Sequence, residues 1–249
     1  MQPPVFYADP ATITPESVVL SKTESHHASR VLRLTRGDLV IVVDGLGGAY
    51  RGEVLKVGRT VGMEIRFHSH VRNFGEPNVV VTLAAGLSVG YKFETVVEKG
   101  TELGVKRFVP LITEKSKVRL EDPRKAMTKV RRYEKVAMSA MKQCRRAYRP
   151  EISAPVTFEG YLKEIDGDST NLLFHPTDSS EAYGDLKLTP DVKRISIIVG
   201  SESGFSSAEV NMAAQQGAKI VSLGRRILRT ETAGPVICAL VMNSLGELR

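Results

Sequence analysis

The chain has no tryptophan, only two cysteines and five histidines, and nowhere eighteen consecutive apolar residues. Each shortage excludes something. Cys144 and Cys238 cannot build a disulfide framework or a four-ligand zinc site, and neither sits in a C-x-x-C pair. They read as packed thiols of a protein kept in a reducing compartment. Without a long apolar run, or a basic start leading into one, the sequence predicts no membrane span and no exported leader, so a soluble cytoplasmic protein is expected. All five histidines (His26, His27, His68, His70, His175) precede the loop Gly200-Ser201-Glu202-Ser203-Gly204, which nearly spells a hydrolase nucleophile elbow. That elbow needs serine where Glu202 stands, and a histidine downstream. His68 and His70 alternate at a strand end with no third ligand nearby, so no metal site is expected.

What is present is a globular chain of 249 residues, 42% hydrophobic, with a net charge of +7. The charge is not spread evenly. Residues 92–149 carry 17 Lys and Arg against 7 Asp and Glu, an excess of ten, while residues 150–249 carry 9 against 13. So one-sided a run points to a polyanion, with nucleic acid first, because neutralised phosphates supply affinity independent of sequence.

From about Val18 to Phe67 the pattern is β-like, with "DLVIVVDGLGGAYRGEVLKV" giving two apolar runs around a turn. Its glycines do not make a dinucleotide fingerprint: Tyr50 breaks the G-x-G-x-x-G spacing and a strand follows. The polar stretch "VRNFGEPN" marks a boundary, giving a small β-rich domain at 1–72 and a larger domain at 73–249. In the larger one, apolar runs at 79–85, 107–113, 171–175, 194–200 and 218–224 alternate with helical segments, which predicts an α/β fold with a mostly parallel sheet. A helix stopping near Gly104 is expected after the first run. A longer one should begin at Pro123 and bury Met127, Val130, Val136, Ala137, Ala140, Met141 and Cys144. Near the C-terminus an apolar helix is expected with Pro235 in its first turn.

Within this frame, Gly200–Phe205 joins a buried strand to a helix opened by the capping box Ser206-Ser207-Ala208-Glu209. Ligands of open α/β sheets gather at that edge. Glycine lets backbone approach a ligand, and the helix start offers unpaired N–H groups. A second glycine-containing loop, cationic this time, follows the next strand: Leu223-Gly224-Arg225-Arg226-Ile227-Leu228-Arg229.

"VGSESGFSSAEV" and "SLGRRILRTETA", with "EKGTELGV", "PLITEKS" and "HASRVLRLTRGD" upstream, resemble the RsmE family, the uridine N3-methyltransferases of small-subunit (16S) ribosomal RNA in the SPOUT superfamily. The resemblance runs over nearly the whole chain in order. It implies a PUA-like β-barrel domain, then an α/β domain with a C-terminal deep trefoil knot that binds S-adenosylmethionine, and a homodimer with its active site at the subunit interface. Carried over by motif, the cofactor residues would be Phe174, His175, Val199, Gly200, Glu202, Gly204, Leu223, Gly224, Arg226, Ile227, Leu228 and Arg229. The partner would be ribosomal RNA within the small subunit, touched by His27, Arg30, Arg33, Lys92, Lys99, Lys115, Lys142, Gln143 and Arg146. Two other readings stay open: a SPOUT methyltransferase acting elsewhere on RNA, and an RNA-binding assembly factor of this fold without catalysis.

The catalytic candidates implied are Arg229 and Glu202. Uridine N3 carries a proton, so its developing anion needs a cation beside the uracil carbonyls, a role for Arg229. Glu202 could act as base or orient its loop. The sequence departs from the family pattern at several places. Where G-P-E-G-G-F is usual, Ser201 replaces proline and Ser203 replaces glycine, which costs rigidity and puts a Cβ where a left-handed backbone is expected. In "MKQCRRAY", Lys142 stands for an acid and Arg145 for a glycine, and "PPVFY" lacks an arginine before the aromatic.

Overall fold

The computed structural model describes residues 2–58, 62–88, 90–118, 122–165, 167–177 and 180–248. The chain divides into two units, Met1–Glu76 with Met138–Arg149, and Pro77–Ala137 with Pro150–Arg249.

The first unit holds β1 (Val5–Tyr7), β2 (Ser17–Val19), α1 (Lys22–His26), β3 (Leu39–Val43), β4 (Gly48–Val57) and β5 (Met63–Arg72). They form one sheet in the order β1-β3-β4-β5-β2, parallel only at β1/β3. The glycine-rich stretch is the β3–β4 turn expected from the sequence: an Asp44 carboxylate oxygen accepts from Leu46 N and Gly48 N at 2.7 and 2.9 Å. Two register shifts bend the β4–β5 ribbon. At one of them a Cβ on Gly52 would stand 2.2 Å from the Arg66 carbonyl oxygen, so only glycine is accommodated. Phe6, Val18, Leu20, Val40, Val42, Val54, Met63 and Ile65 fill the core.

This unit is not one continuous stretch. Residues 138–149 return to it, because Met141 and Ala147 pack with Ile41, Val43 and Ala49. Arg146, 2% exposed, is held by Glu76.

The second unit holds β6 (Val80–Gly86), α2 (Lys92–Glu102), β7 (Arg107–Ile112), most of α3 (Pro123–Gln143), β8 (Glu151–Ile152), β9 (Val156–Thr157), α4 (Phe158–Glu164), β10 (Thr170–Phe174), β11 (Glu181–Ala182), β12 (Arg194–Val199), α5 (Ser207–Gln215), β13 (Lys219–Ser222) and α6 (Thr230–Ser244). Its sheet runs β11-β13-β10-β12-β6-β7-β8, with β9 on β7, and every pairing is parallel. Strand side chains alternate between two cores. Leu83, Leu172 and Ile197 meet α2, α3 and α6 on one face, and Ala84, Leu173 and Ile198 meet α4 and α5 on the other. The result is the covered parallel sheet expected from β/α alternation.

Two local expectations fail. Met127 is 49% exposed, because burial on α3 starts only at Val130. Pro235 lies in the second turn of α6, since the helix already begins at Thr230. Its missing N–H costs one ladder bond. Ala233, Gly234, Ile237, Cys238, Val241 and Met242 are buried on this helix, and that burial keeps it continuous.

Candidate active site

The parallel register places three strand ends side by side. Phe174 of β10 is opposite Val199 of β12 and Val221 of β13, so the loops that follow must leave from one edge. Together with α6 they enclose a cavity of about 260 Å³. Its walls are Phe174 to Pro176, Val199 to Phe205, Val221 to Gly224 and Arg226 to Leu228, closed by Thr230, Ala233 and Ile237.

Close packing of backbone shapes the first of these loops. A Cβ on Gly86 would fall 2.2 Å from Ser201 N, and one on Gly200 would fall 2.9 Å from Gly204 Cα. Gly204 is left-handed (φ 66°), and its N–H donates to the Ser201 carbonyl at 2.9 Å, closing a tight turn. Ser203 does not adopt positive φ, so its Cβ is unstrained and the expected penalty at that position is absent. The rigidity lost with a proline at 201 is supplied by ties from other elements. Thr230 Oγ1 donates to the Gly200 carbonyl (3.3 Å), Lys115 Nζ to the Phe205 carbonyl (2.9 Å), and Lys92 Nζ to Glu202 Oε1 (2.6 Å). The capping box expected at α5 is present, and Glu209 also accepts from Glu114 N at 2.8 Å.

Of the cofactor residues expected, the structure brings all but one to the cavity wall: Phe174, His175, Val199, Gly200, Glu202, Gly204, Leu223, Gly224, Arg226, Ile227 and Leu228. Arg229 is the exception; it is exposed, caps α6 with its backbone and flanks lining residues Leu228 and Thr230. Sequence reasoning misses the α6 wall. Thr230, Ala233 and Ile237 recur at helical spacing, a signal that reads as ordinary core. The His175 ring packs edge-on to Phe205, while its backbone N–H donates to the Val221 carbonyl. Partial burial, then the Lys115 charge, holds its imidazole below the ordinary value.

The residues expected to touch RNA separate into two groups. His27, Arg30, Arg33 and Gln143 are exposed. Lys92, Lys99, Lys115 and Lys142 are each engaged, Lys99 with Glu98 and Glu102, Lys142 with Glu24. Arg146 requires correction. Its guanidinium is 3% exposed and 2.7 Å from Glu76, so its charge is compensated inside the protein and does not face a phosphate.

Residues 75–242 match the RNA methyltransferase domain family, and residues 20–60 match the RNA methyltransferase PUA domain. The chain belongs to the RNA methyltransferase family. Relatives of this RNA methyltransferase include the ribosomal RNA small subunit methyltransferases E of Synechocystis sp., 31% identical over 96% of this chain and 76% of that one, and of Bacillus subtilis, 31% identical over 84% and 83%. Among solved structures, a Legionella pneumophila protein in complex with the cofactor S-adenosylmethionine superposes with a TM-score of 0.86 at 27% identity, covering 98% of both chains. The ribosomal RNA small subunit methyltransferase E of Neisseria gonorrhoeae, bound to S-adenosylmethionine, also gives 0.86, at 25% identity over 97% of this chain and 98% of that one. No helix among the described residues of this methyltransferase is long and apolar enough to cross a membrane.

Proposed function

We propose that the protein methylates N3 of a uridine in small-subunit ribosomal RNA, with S-adenosylmethionine held in the cavity at the β10, β12 and β13 strand ends. The observation that carries this reading is the lining itself. Phe174, Val199, Val221, Leu223, Leu228 and Ile237 line the cavity with apolar surface, and Ser201, Glu202, Ser222 and Thr230 add polar groups to the same wall. That combination suits a molecule with an aromatic base, a sulfonium centre and a charged amino-acid end. When bound, this cofactor supplies an activated methyl group on a sulfonium.

The chain's own residues then have to bind, align and exclude water. Gly200 lets the loop fold tightly against Gly204, and Thr230 pins that loop through the Gly200 carbonyl. Glu202, in its ion pair with Lys92, acts as a positioning residue that fixes the loop's tip. Arg229, exposed beside the cavity, is the cation for a uracil anion. Arg229→Ala is therefore expected to cut turnover roughly a hundredfold, the scale of losing one anion-stabilising donor.

The wider reading is a SPOUT-type trefoil knot and a homodimer working in the cytoplasm on the small ribosomal subunit. Its support is twofold: β10 lies between β12 and β13, so the chain crosses over on its way to α6, and Val236 and Leu240 leave an apolar stripe exposed on that helix.

The test is calorimetric titration with S-adenosylmethionine, then methylation of naked and subunit-assembled ribosomal RNA with nucleoside mass spectrometry. Saturable binding and 3-methyluridine are expected. Another methylated nucleoside would move the reaction to a different RNA position, and failure to bind the cofactor would leave an RNA-binding protein without catalysis.

A further inference from the structure

Tyr91, immediately before α2, is 67% exposed. Its ring is not loose. The Arg132 guanidinium lies over it, with Cζ 4.4 Å from the centroid. Arg132 is itself fixed by Glu94, whose two carboxylate oxygens meet Nε at 2.9 Å and a terminal nitrogen at 3.0 Å. A guanidinium held in such a fork has little freedom left. One face of the tyrosine is thus backed by a planar cation, and the high exposure leaves the other face to solvent. The next residue, Lys92, bonds Glu202 on the cavity wall, so the ring stands one residue from a direct tie to the candidate active site.

We propose that Tyr91, backed by Arg132, is a stacking platform for an unpaired base of the RNA substrate next to the nucleotide to be methylated. The inference rests on the RNA-methylating function proposed above. An exposed aromatic ring backed on one face by a guanidinium suits a partner with π faces, which describes the unpaired bases of a single-stranded nucleic acid. A target uridine must leave its stack to expose N3, and its neighbour then loses a stacking partner that the tyrosine ring replaces. Because Glu94 and Arg132 pre-arrange the ring, ordering it on binding costs little.

The test compares wild type, Tyr91→Phe and Tyr91→Ala for affinity and KM toward small-subunit ribosomal RNA, with S-adenosylmethionine titration and thermal melting as controls for folding. Tyr91→Ala should weaken RNA binding roughly tenfold, and Tyr91→Phe should stay near wild type. Glu94→Gln, which frees the backing guanidinium, should fall between them. An alanine variant that is folded and binds RNA within twofold of wild type overturns the platform. So does one whose sedimentation changes while RNA affinity does not, since the ring would then serve a second copy of the chain. A wild-type protein that binds RNA yet methylates none would sink the proposed function, while the affinity difference would still support the platform.

Discussion

Arg124, Lys125, Arg131 and Lys135 stand exposed on the first two thirds of α3 and make no ion pair with any described residue. A few residues later, Lys142, Arg145 and Arg146 are all engaged within the protein: Lys142 with Glu24, Arg145 with the Gln2 side chain and the Pro3 carbonyl, Arg146 with Glu76. In the sequence each of these seven residues adds one charge to the same positive excess. They part because acids from 70 and 118 positions away fold onto Arg146 and Lys142, and neutral oxygens of Gln2 and Pro3 onto Arg145, while no described acid pairs with the first group. A cationic run measures attraction to polyanions only after the chain's own carboxylates have been subtracted.

The largest test of that contrast is Glu76→Ala. It would remove the carboxylate that faces a buried guanidinium and the acceptor for the Tyr148 N–H, and leave the Ala147 N–H only the Phe74 carbonyl. Breaking a buried pair from one side costs about 3–5 kcal/mol, and denaturant unfolding should show a loss of that order. A loss below about 1 kcal/mol, the range of an exposed pair, would mean that Arg146 reaches water more easily than its burial implies. The exposed group should behave in the opposite way. Replacing Arg124, Lys125, Arg131 and Lys135 by Gln is expected to leave stability within about 0.5 kcal/mol per site. The same changes should flatten the salt dependence of RNA binding, by about 0.7 in the log–log slope for each single-strand phosphate that is no longer neutralised. An unchanged slope would place the RNA surface elsewhere.

The α/β alternation, the β3–β4 turn, the start of α3 and the α5 capping box were legible because each depends on neighbours in sequence. So were the glycine loops at the strand ends, since a Cβ on Gly200 would stand 2.9 Å from Gly204 Cα, and Gly204 and Gly224 adopt positive φ, both of which favour glycine. What stayed hidden depends on distant chain. The return of residues 138–149 to the first unit requires Glu76 and the β3–β4 face. Arg145 shows the same limit. It sits where the family pattern has glycine, and it keeps the left-handed backbone that glycine favours (φ 65°). Such a conformation costs a side-chain-bearing residue roughly 1–2 kcal/mol, and the bonds to Gln2 and Pro3 offset part of that.

The smallest expected effect extends the contrast between engaged and open cations to the cavity. Lys115 is bonded to the Phe205 carbonyl, and its charge adds to partial burial in holding His175 below 6.5. The imidazole therefore takes up its proton less readily in the folded protein than a free one does. Since the folded form binds its proton less readily than the unfolded chain does, the contribution of His175 to stability is complete above about pH 6.5. It is lost as pH falls from there toward the lower folded value. The same sign holds for a sulfonium ligand, which a neutral ring tolerates and an imidazolium repels. Affinity for S-adenosylmethionine should be level from pH 8 to about 6.5 and then decline, whereas His175→Asn should remove that decline. Imidazole NMR provides the direct reading, with an inflection below the ordinary value that moves upward in Lys115→Ala. An inflection at or above 6.5 would show that the ring is better solvated than its place against Phe205 indicates, and that Lys115 does not act on it.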